Sequence, residues 1–378
     1  MTALPRTHLE RLQRHTEEIN RRLAFSFTLA DFVNANMNYG RLGDAATETL
    51  VSNVAGLMRL LKIPAKSLQP FLLSSPAFFR RSPFSVQTQF TDIAALLGMP
   101  WRSYVKKVLK AHRIANATPE SVNILIDALA TELELSPAAV KAILKRHTVL
   151  LGSNANTLVS NIRTTINRLN LSKSDYATFV RRAPGLLATP TDTLETKVKA
   201  FADIFSIHPA TALKALRRSP PLLAMASDTI RNNLHRSANA LNIPVHNWSQ
   251  TVIKKPSLAS YRAGTLLSTV SQIASLFKMS APDVIAIASR FPSLLCISIE
   301  AYESKLPLVL KFCRTLGFDY TPAETLRECP LAFTYAPRRL QERLRLAELG
   351  LGPRSIMNLL TLANEDAAPL LRRSRLHP

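Results

Sequence analysis

The chain has 378 residues, with 48 Lys+Arg against 26 Asp+Glu and a formal net charge of +22. That length exceeds what one globular core fills, so a multidomain chain or a repeat array is expected, and a hydrophobic content of 47% excludes a disordered chain. No run of eighteen or more apolar residues offers a membrane span, and the cation excess calls for a polyanionic partner, with nucleic acid ahead of an acidic membrane surface.

Only 10 glycines occur, which favours helices over strand-and-turn architecture. The three cysteines, Cys296, Cys313 and Cys329, lack metal-type spacing and read as small apolar packing residues. Within the first 25 residues, Arg6, Arg11, Arg14, Arg21 and Arg22 are interrupted by Glu10, Glu17 and Glu18. Transit peptides are poor in acids, so this segment reads as a short amphipathic helix. Residues 1–39 are expected to form an N-terminal helical extension or cap.

From about Gly40 the chain repeats every thirty-six residues. Anchor positions are Pro76, His112, Thr148, Pro184, Pro220, Pro256 and Pro292, then Pro330 after a two-residue insertion. Ten residues past each anchor stand Val86, Val122, Leu158, Leu194, Ile230, Leu266, Tyr302 and Leu340. Fourteen past stand Phe90, Ile126, Ile162, Val198, Leu234, Val270, Leu306 and Leu344. Twenty-one past stand Leu97, Leu133, Leu169, Phe205, Leu241, Phe277, Cys313 and Leu351. Offsets of four and seven put these columns on one face of a helix, A.

A second helix, B, opens at "SPAA" (Ser136), "SKSD" (Ser172), "SAPD" (Ser280) and "TPAE" (Thr321). Ser or Thr at these places satisfies exposed amides, and Pro at the first helical position costs no hydrogen bond. "DTLE" at Asp192–Glu195 reads as a capping box at the start of an A helix. Helix B should stop about two residues before the anchor, because proline lacks an N–H and crowds the turn before it. The leucine pairs that follow (Leu186 and Leu187, Leu222 and Leu223, Leu294 and Leu295) should plug the gap between neighbouring helix pairs. Neither helix can bury its stripe alone, so the pairs must stack. The expected fold is an all-α superhelical solenoid of eight to nine helix-pair repeats over residues 40–378, with a terminal capping unit from about residue 330.

"RRAPGLLATPTDTLETKVKAF", "SRFPSLLCISIEAYESKLPLVLKFCRTLGF" and "CPLAFTYAPRRLQERLRLAELGLGPRSIMNLL" resemble the repeats of the mitochondrial transcription termination factor (mTERF) family. The resemblance implies a curved α-solenoid that binds nucleic acid along a concave, basic side. It also implies a role in organelle gene expression: transcription termination or initiation, ribosome assembly or intron splicing. It points to a mitochondrial or plastid address, while the acid-interrupted N-terminal segment leaves a bacterial cytoplasmic role open. Tetratricopeptide and pentatricopeptide units would need Trp/Gly/Tyr/Ala columns or a mid-repeat glycine that this chain lacks.

Two residues before six successive anchors stand Lys110, Arg146, Arg182, Arg218, Lys254 and Arg290, with charge often doubled by Lys145, Arg181, Arg217 or Lys255. Cations are favoured in the last turn of any helix by about 0.3–1 kcal/mol, so the column has a purely structural explanation. Against it, no acid occurs from Leu135 to Ser174 or from Thr229 to Pro282, and equivalent positions of stacked units fall on one ribbon. These ten residues are the candidate nucleic-acid contacts, gripping phosphate rather than reading bases. With aromatics at 7%, and Phe90, Phe205 and Phe277 in core columns, a charged groove for duplex is better supported than a stacking platform.

No H-E-x-x-H, C-x-x-C, G-x-S-x-G or phosphate loop is present, and "GLG" at Gly350–Gly352 reads as a helix break. His112 and His147 fall at or beside anchors and read as turn residues. The expected function is therefore non-catalytic, with no cofactor, no metal and no membrane. The chain should be a monomer that binds duplex DNA or structured RNA and regulates transcription termination or another step of gene expression. The alternative is a basic protein-binding scaffold or ribosome assembly factor, with ribosomal or transcription-machinery partners.

Overall fold

The computed structural model describes residues 6–39 and 42–348, and every regular element among them is helical. The chain divides between Leu194 and Glu195 into two compact units. The first holds α1 (Arg6–Leu23), α2 (Leu29–Tyr39), α3 (Thr47–Leu61), α4 (Ala65–Ser74), α5 (Pro83–Leu96), α6 (Trp101–Lys110), α7 (Pro119–Leu133), α8 (Pro137–Arg146), α9 (Ala155–Arg168) and α10 (Lys173–Arg182). Helix α11 (Thr191–Phe205) contains the division. The second unit continues with α12 (Pro209–Arg218), α13 (Ser227–Ala240), α14 (Val245–Lys254), α15 (Ala263–Phe277), α16 (Ala281–Arg290), α17 (Ile299–Thr315), α18 (Pro322–Glu328) and α19 (Pro337–Glu348). From α3 onward the odd-numbered helices are A and the even-numbered ones B.

The thirty-six-residue period is kept to the residue. The B helices α4, α6, α8, α10, α12, α14 and α16 start at that spacing, are each 10 residues long, and end two residues before the anchor. The anchor then opens a short 3-10 turn, as in Pro184–Ala188, Pro220–Ala224 and Pro292–Cys296. His112 and Thr148 open the same turn without a proline ring, so the ring is not its only cause. The two apolar residues that follow supply the other. Leu186, Leu187, Leu222, Leu223, Leu294 and Leu295 are all buried, and burying each such side chain is worth about 1.5–3 kcal/mol.

Within each unit the A helices pack in sequence, α3 on α5, α5 on α7 and α7 on α9, then α13 on α15, α15 on α17 and α17 on α19. The expected A-helix columns form this core, with two departures: Leu169 and Leu306 are half-buried. Leu169 caps the end of α9, and Leu306 precedes Pro307 inside α17. Leu351 and the Gly350–Gly352 break lie outside the described residues. Ser136, Ser172, Ser280 and Thr321 cap their B helices as expected. Asp192 does not cap α11, because the helix already begins at Thr191, and its carboxylate pairs instead with Arg168 at 2.5 Å.

A second column went unseen in the sequence. In five repeats the A-helix residue thirteen past the anchor sends a polar side chain to the backbone of the next repeat's 3-10 turn. Asn53 Nδ2 donates to Phe79 O (3.1 Å), Gln89 Nε2 to Ala115 O (3.0 Å) and also to Ala117 O, and Asn233 Nδ2 to Ala259 O (3.0 Å). Lys197 Nζ donates to Leu223 O (2.7 Å) and Met225 O (2.9 Å), and Lys305 Nζ to Phe333 O (2.7 Å). Burial pushes both lysine pKa values down. Arg343 holds the same place in α19 and is fully buried.

A third column closes the A helices. Lys62, Gly98, Glu134, Asn170, Ser206, Asn242 and Lys278, at one repeat position, all take φ between +47° and +60°. Only one of them is glycine, although this left-handed conformation costs other residues about 1–2 kcal/mol.

Two stability predictions follow from these columns. Gln89→Leu leaves two buried carbonyls without a donor and should lower stability by about 1–3 kcal/mol, read as a lower denaturant midpoint. Ser206→Gly relieves the left-handed strain and should raise stability by about 1 kcal/mol, read as a higher midpoint.

Candidate nucleic-acid interface

The basic column sits on the last turn of the B helices, where free carbonyls and the negative end of the helix dipole favour cations. In the first unit the turn His112–Asn116 packs on Thr148–Gly152, which packs on Pro184–Ala188. The ends of α6, α8 and α10 therefore lie side by side, placing Lys110, Arg146 and Arg182 in one row. In the second unit Pro220–Ala224 packs on Pro256–Ser260, and α14 packs on α16 and on Pro292–Cys296. Arg218, Lys254 and Arg290 form the corresponding row there. All six side chains are exposed.

Their partners separate them. Arg146 Nη1 donates to the carbonyl of Arg181, at the end of the next B helix, at 2.7 Å. Arg218 repeats this contact in the second unit, with Nη1 and Nη2 each 3.3 Å from Lys254 O and Ile253 O. These guanidiniums tie successive B helices together, a role the sequence reading assigned only to helix-end electrostatics. Arg290 lies over the Phe291 ring at 5.7 Å. Lys110 and Lys254 make no side-chain hydrogen bond or ion pair among the described residues.

The doubling charges also divide. Lys145 Nζ donates to Gly98 O at 2.7 Å, away from the row. Arg181 is exposed, whereas Arg217 and Lys255 are half-buried. His147 lies beside the row, and burial, then the charges of Arg113 and Lys107, hold its imidazole below the usual histidine range. His112 is a turn residue as expected, meeting Ser74 Oγ at 2.8 Å and Leu109 O at 2.9 Å.

Carboxylates sit elsewhere. Arg163–Glu132 (2.8 Å) and Arg168–Asp192 (2.5 Å) join A helices, and Lys173–Glu134 (3.5 Å) joins the start of α10 to the end of α7. No described ion pair falls on the last turns of α6, α8, α14 or α16. Helices α6, α8, α12 and α14 carry no acid at all.

Sequence reasoning missed the extent of the charge along the B helices. Arg102, Lys106 and Lys110 run at intervals of four along α6, and Lys214 and Arg218 do so on α12; all are exposed. Like charges four apart destabilise a helix by about 0.2–0.5 kcal/mol per pair, so these stripes do not exist for helix stability. Their spacing was the available signal. The stripes and rows together make an exposed cationic surface on each unit, free of acids along α6, α8, α12 and α14 and suited to polyphosphate. Among the described residues no cluster of His, Cys, Asp or Glu is arranged to hold a metal, and no helix is long and apolar enough to cross a membrane.

Substitutions should expose the two kinds of cation. Lys110→Gln and Lys254→Gln should leave stability within about 0.5 kcal/mol of the parent. Arg146→Gln removes a charge-assisted bond at an exposed site and should lower stability by about 1 kcal/mol, read as a lower denaturant midpoint.

No curated protein matches the chain. The mTERF family model matches residues 41–262, a span that contains α3 to α14 and both rows as far as Lys254. The repeat register, the all-helical fold and that match agree, and the chain belongs to the mTERF family.

Proposed function

We propose that this chain is a non-catalytic nucleic-acid-binding protein that engages double-stranded DNA or structured RNA and regulates transcription termination or another step of gene expression. One observation carries the reading: successive B helices end on exposed Lys or Arg in turns that hold no carboxylate. Lys110, Arg146, Arg182, Arg218, Lys254 and Arg290 supply the backbone contacts, with Arg181 beside them and Lys145, Arg217 and Lys255 as support. In this reading residues 1–39 cap the array, residues 40–378 form the repeat body, and a monomer is the binding species. The bonds of Arg146 and Arg218 to neighbouring carbonyls favour a second reading, a basic scaffold for protein partners or for ribosome assembly, in which the column serves packing alone.

Filter binding across salt separates the two, using duplex DNA, duplex RNA and single-stranded RNA. Six phosphate contacts predict a log–log slope near about −5 for duplex DNA. Lys110→Gln with Lys254→Gln should reduce that slope by about 2. An unchanged slope and affinity in the double variant would remove the column from the interface.

A further inference from the structure

The first inter-repeat junction departs from the two that follow it. At each, the left-handed residue that closes an A helix faces the B helix of the next repeat. At the second junction Lys145 Nζ bridges to Gly98 O at 2.7 Å, and at the third Lys173 Nζ meets Glu134 at 3.5 Å. At the first, Lys62 replaces Gly98 and Glu134, Leu109 replaces Lys145, and Trp101 replaces Lys173. None of these can form either bridge. A cleft of about 490 Å³ opens there instead, within the range of about 300–1,000 Å³ that ligand clefts occupy.

The lining of the cleft states the chemistry of its occupant. Leu60, Ile63, Val105 and Leu109 make an aliphatic floor, and half-buried Trp101 stands over it. The Trp101 ring packs against Phe90, with centroids 6.0 Å apart. Exposed Lys62, Arg102 and Lys106 form the rim. Among the described residues no carboxylate, amide or hydroxyl side chain lines the cleft. A nucleobase held here would find donors in the rim but no acceptor side chain for its own N–H groups, and most of the floor is aliphatic. An apolar side chain flanked by carboxylates meets both floor and rim.

We propose that this cleft docks a short acidic segment of a partner protein, inserting a Leu- or Phe-type side chain over Val105 and Leu109 while its carboxylates pair with Lys62, Arg102 and Lys106. The site shares Arg102 and Lys106 with the cationic stripe of α6 but does not include Lys110, Arg146 or Arg182, and it stands whether or not that row binds nucleic acid. Lys62→Gly with Leu109→Lys rebuilds the bridged second junction at the first, conserving net charge and leaving the row intact.

The test uses the full-length chain and a labelled twelve-residue synthetic peptide with Leu and Phe spaced along one helical face among Asp and Glu. Fluorescence anisotropy should show saturable binding at about micromolar Kd. The double variant should weaken it at least about tenfold. A peptide with Ser in place of Leu and Phe should bind about tenfold more weakly. Equal binding of the Ser peptide, or undiminished binding by the double variant, overturns the proposal. So does a labelled oligo-dT that binds the parent and is lost in the double variant, since the cleft would then be a nucleotide site. Should circular dichroism show that the double variant is not folded, Arg102→Glu with Lys106→Glu takes its place. Loss of peptide binding then supports the site, and retained binding overturns it.

Discussion

Five of the eight described 3-10 turns, those opening at Pro76, His112, Pro220, Pro256 and Pro330, present carbonyl oxygens that a side chain of the preceding A helix meets as donor. A buried carbonyl without a partner costs about 1–3 kcal/mol, so at these five junctions a repeat is complete only when its neighbour is in register. The donor and acceptor lie twenty-six residues apart from Asn53 to Phe79, Gln89 to Ala115, Lys197 to Leu223 and Asn233 to Ala259. From Lys305 to Phe333 the separation is twenty-eight. The two-residue insertion is therefore absorbed after the donor, in a longer α17 of 17 residues that contains Pro307, and the contact survives it. What is held constant is the bond across the junction, and the helix length between adjusts.

The donor varies in chemistry while its place does not. Asn, Gln and Lys all reach the turn, and Lys does so despite the desolvation that lowers its pKa. A lysine there binds two carbonyls, as Lys197 does, which offsets part of the cost of taking an ammonium from water. Charge in this column belongs to the scaffold. Charge at the ends of the B helices is presented to solvent, so part of the net +22 is structural and part remains for a partner.

The legible part of the fold was what repeats by residue type. Prolines and leucine pairs marked the turns, apolar columns marked the A helices, and Ser or Thr marked several B-helix starts. The donor column stayed hidden because Asn53, Gln89, Lys197, Asn233 and Lys305 share a geometric task and no side-chain class. The left-handed column stayed hidden because Glu134, Ser206 and Lys278 carry no signal for positive φ that glycine would have given. "DTLE" misled for a related reason. Its spacing suits a cap, yet Arg168 on the neighbouring A helix offered Asp192 a charged partner that sequence proximity could not show. At the candidate interface the column itself was visible, whereas its division between bridging and unbonded cations depends on which carbonyl lies within reach.

That division bears on how the surface would meet a polyanion. A guanidinium has five N–H donors, and Arg146 commits Nη1 to the Arg181 carbonyl. Its remaining donors stay available in a side chain whose direction is already set. Ordering a free Lys or Arg side chain on binding costs about 0.5–1.5 kcal/mol, and a carbonyl-anchored arginine has met much of that cost in folding. Lys110 and Lys254 lack such an anchor and keep the freedom to follow an irregular backbone. The structural explanation of the column and the binding one are thus not rivals at Arg146 and Arg218: the bond that ties one B helix to the next also aims the fork that a phosphate would need.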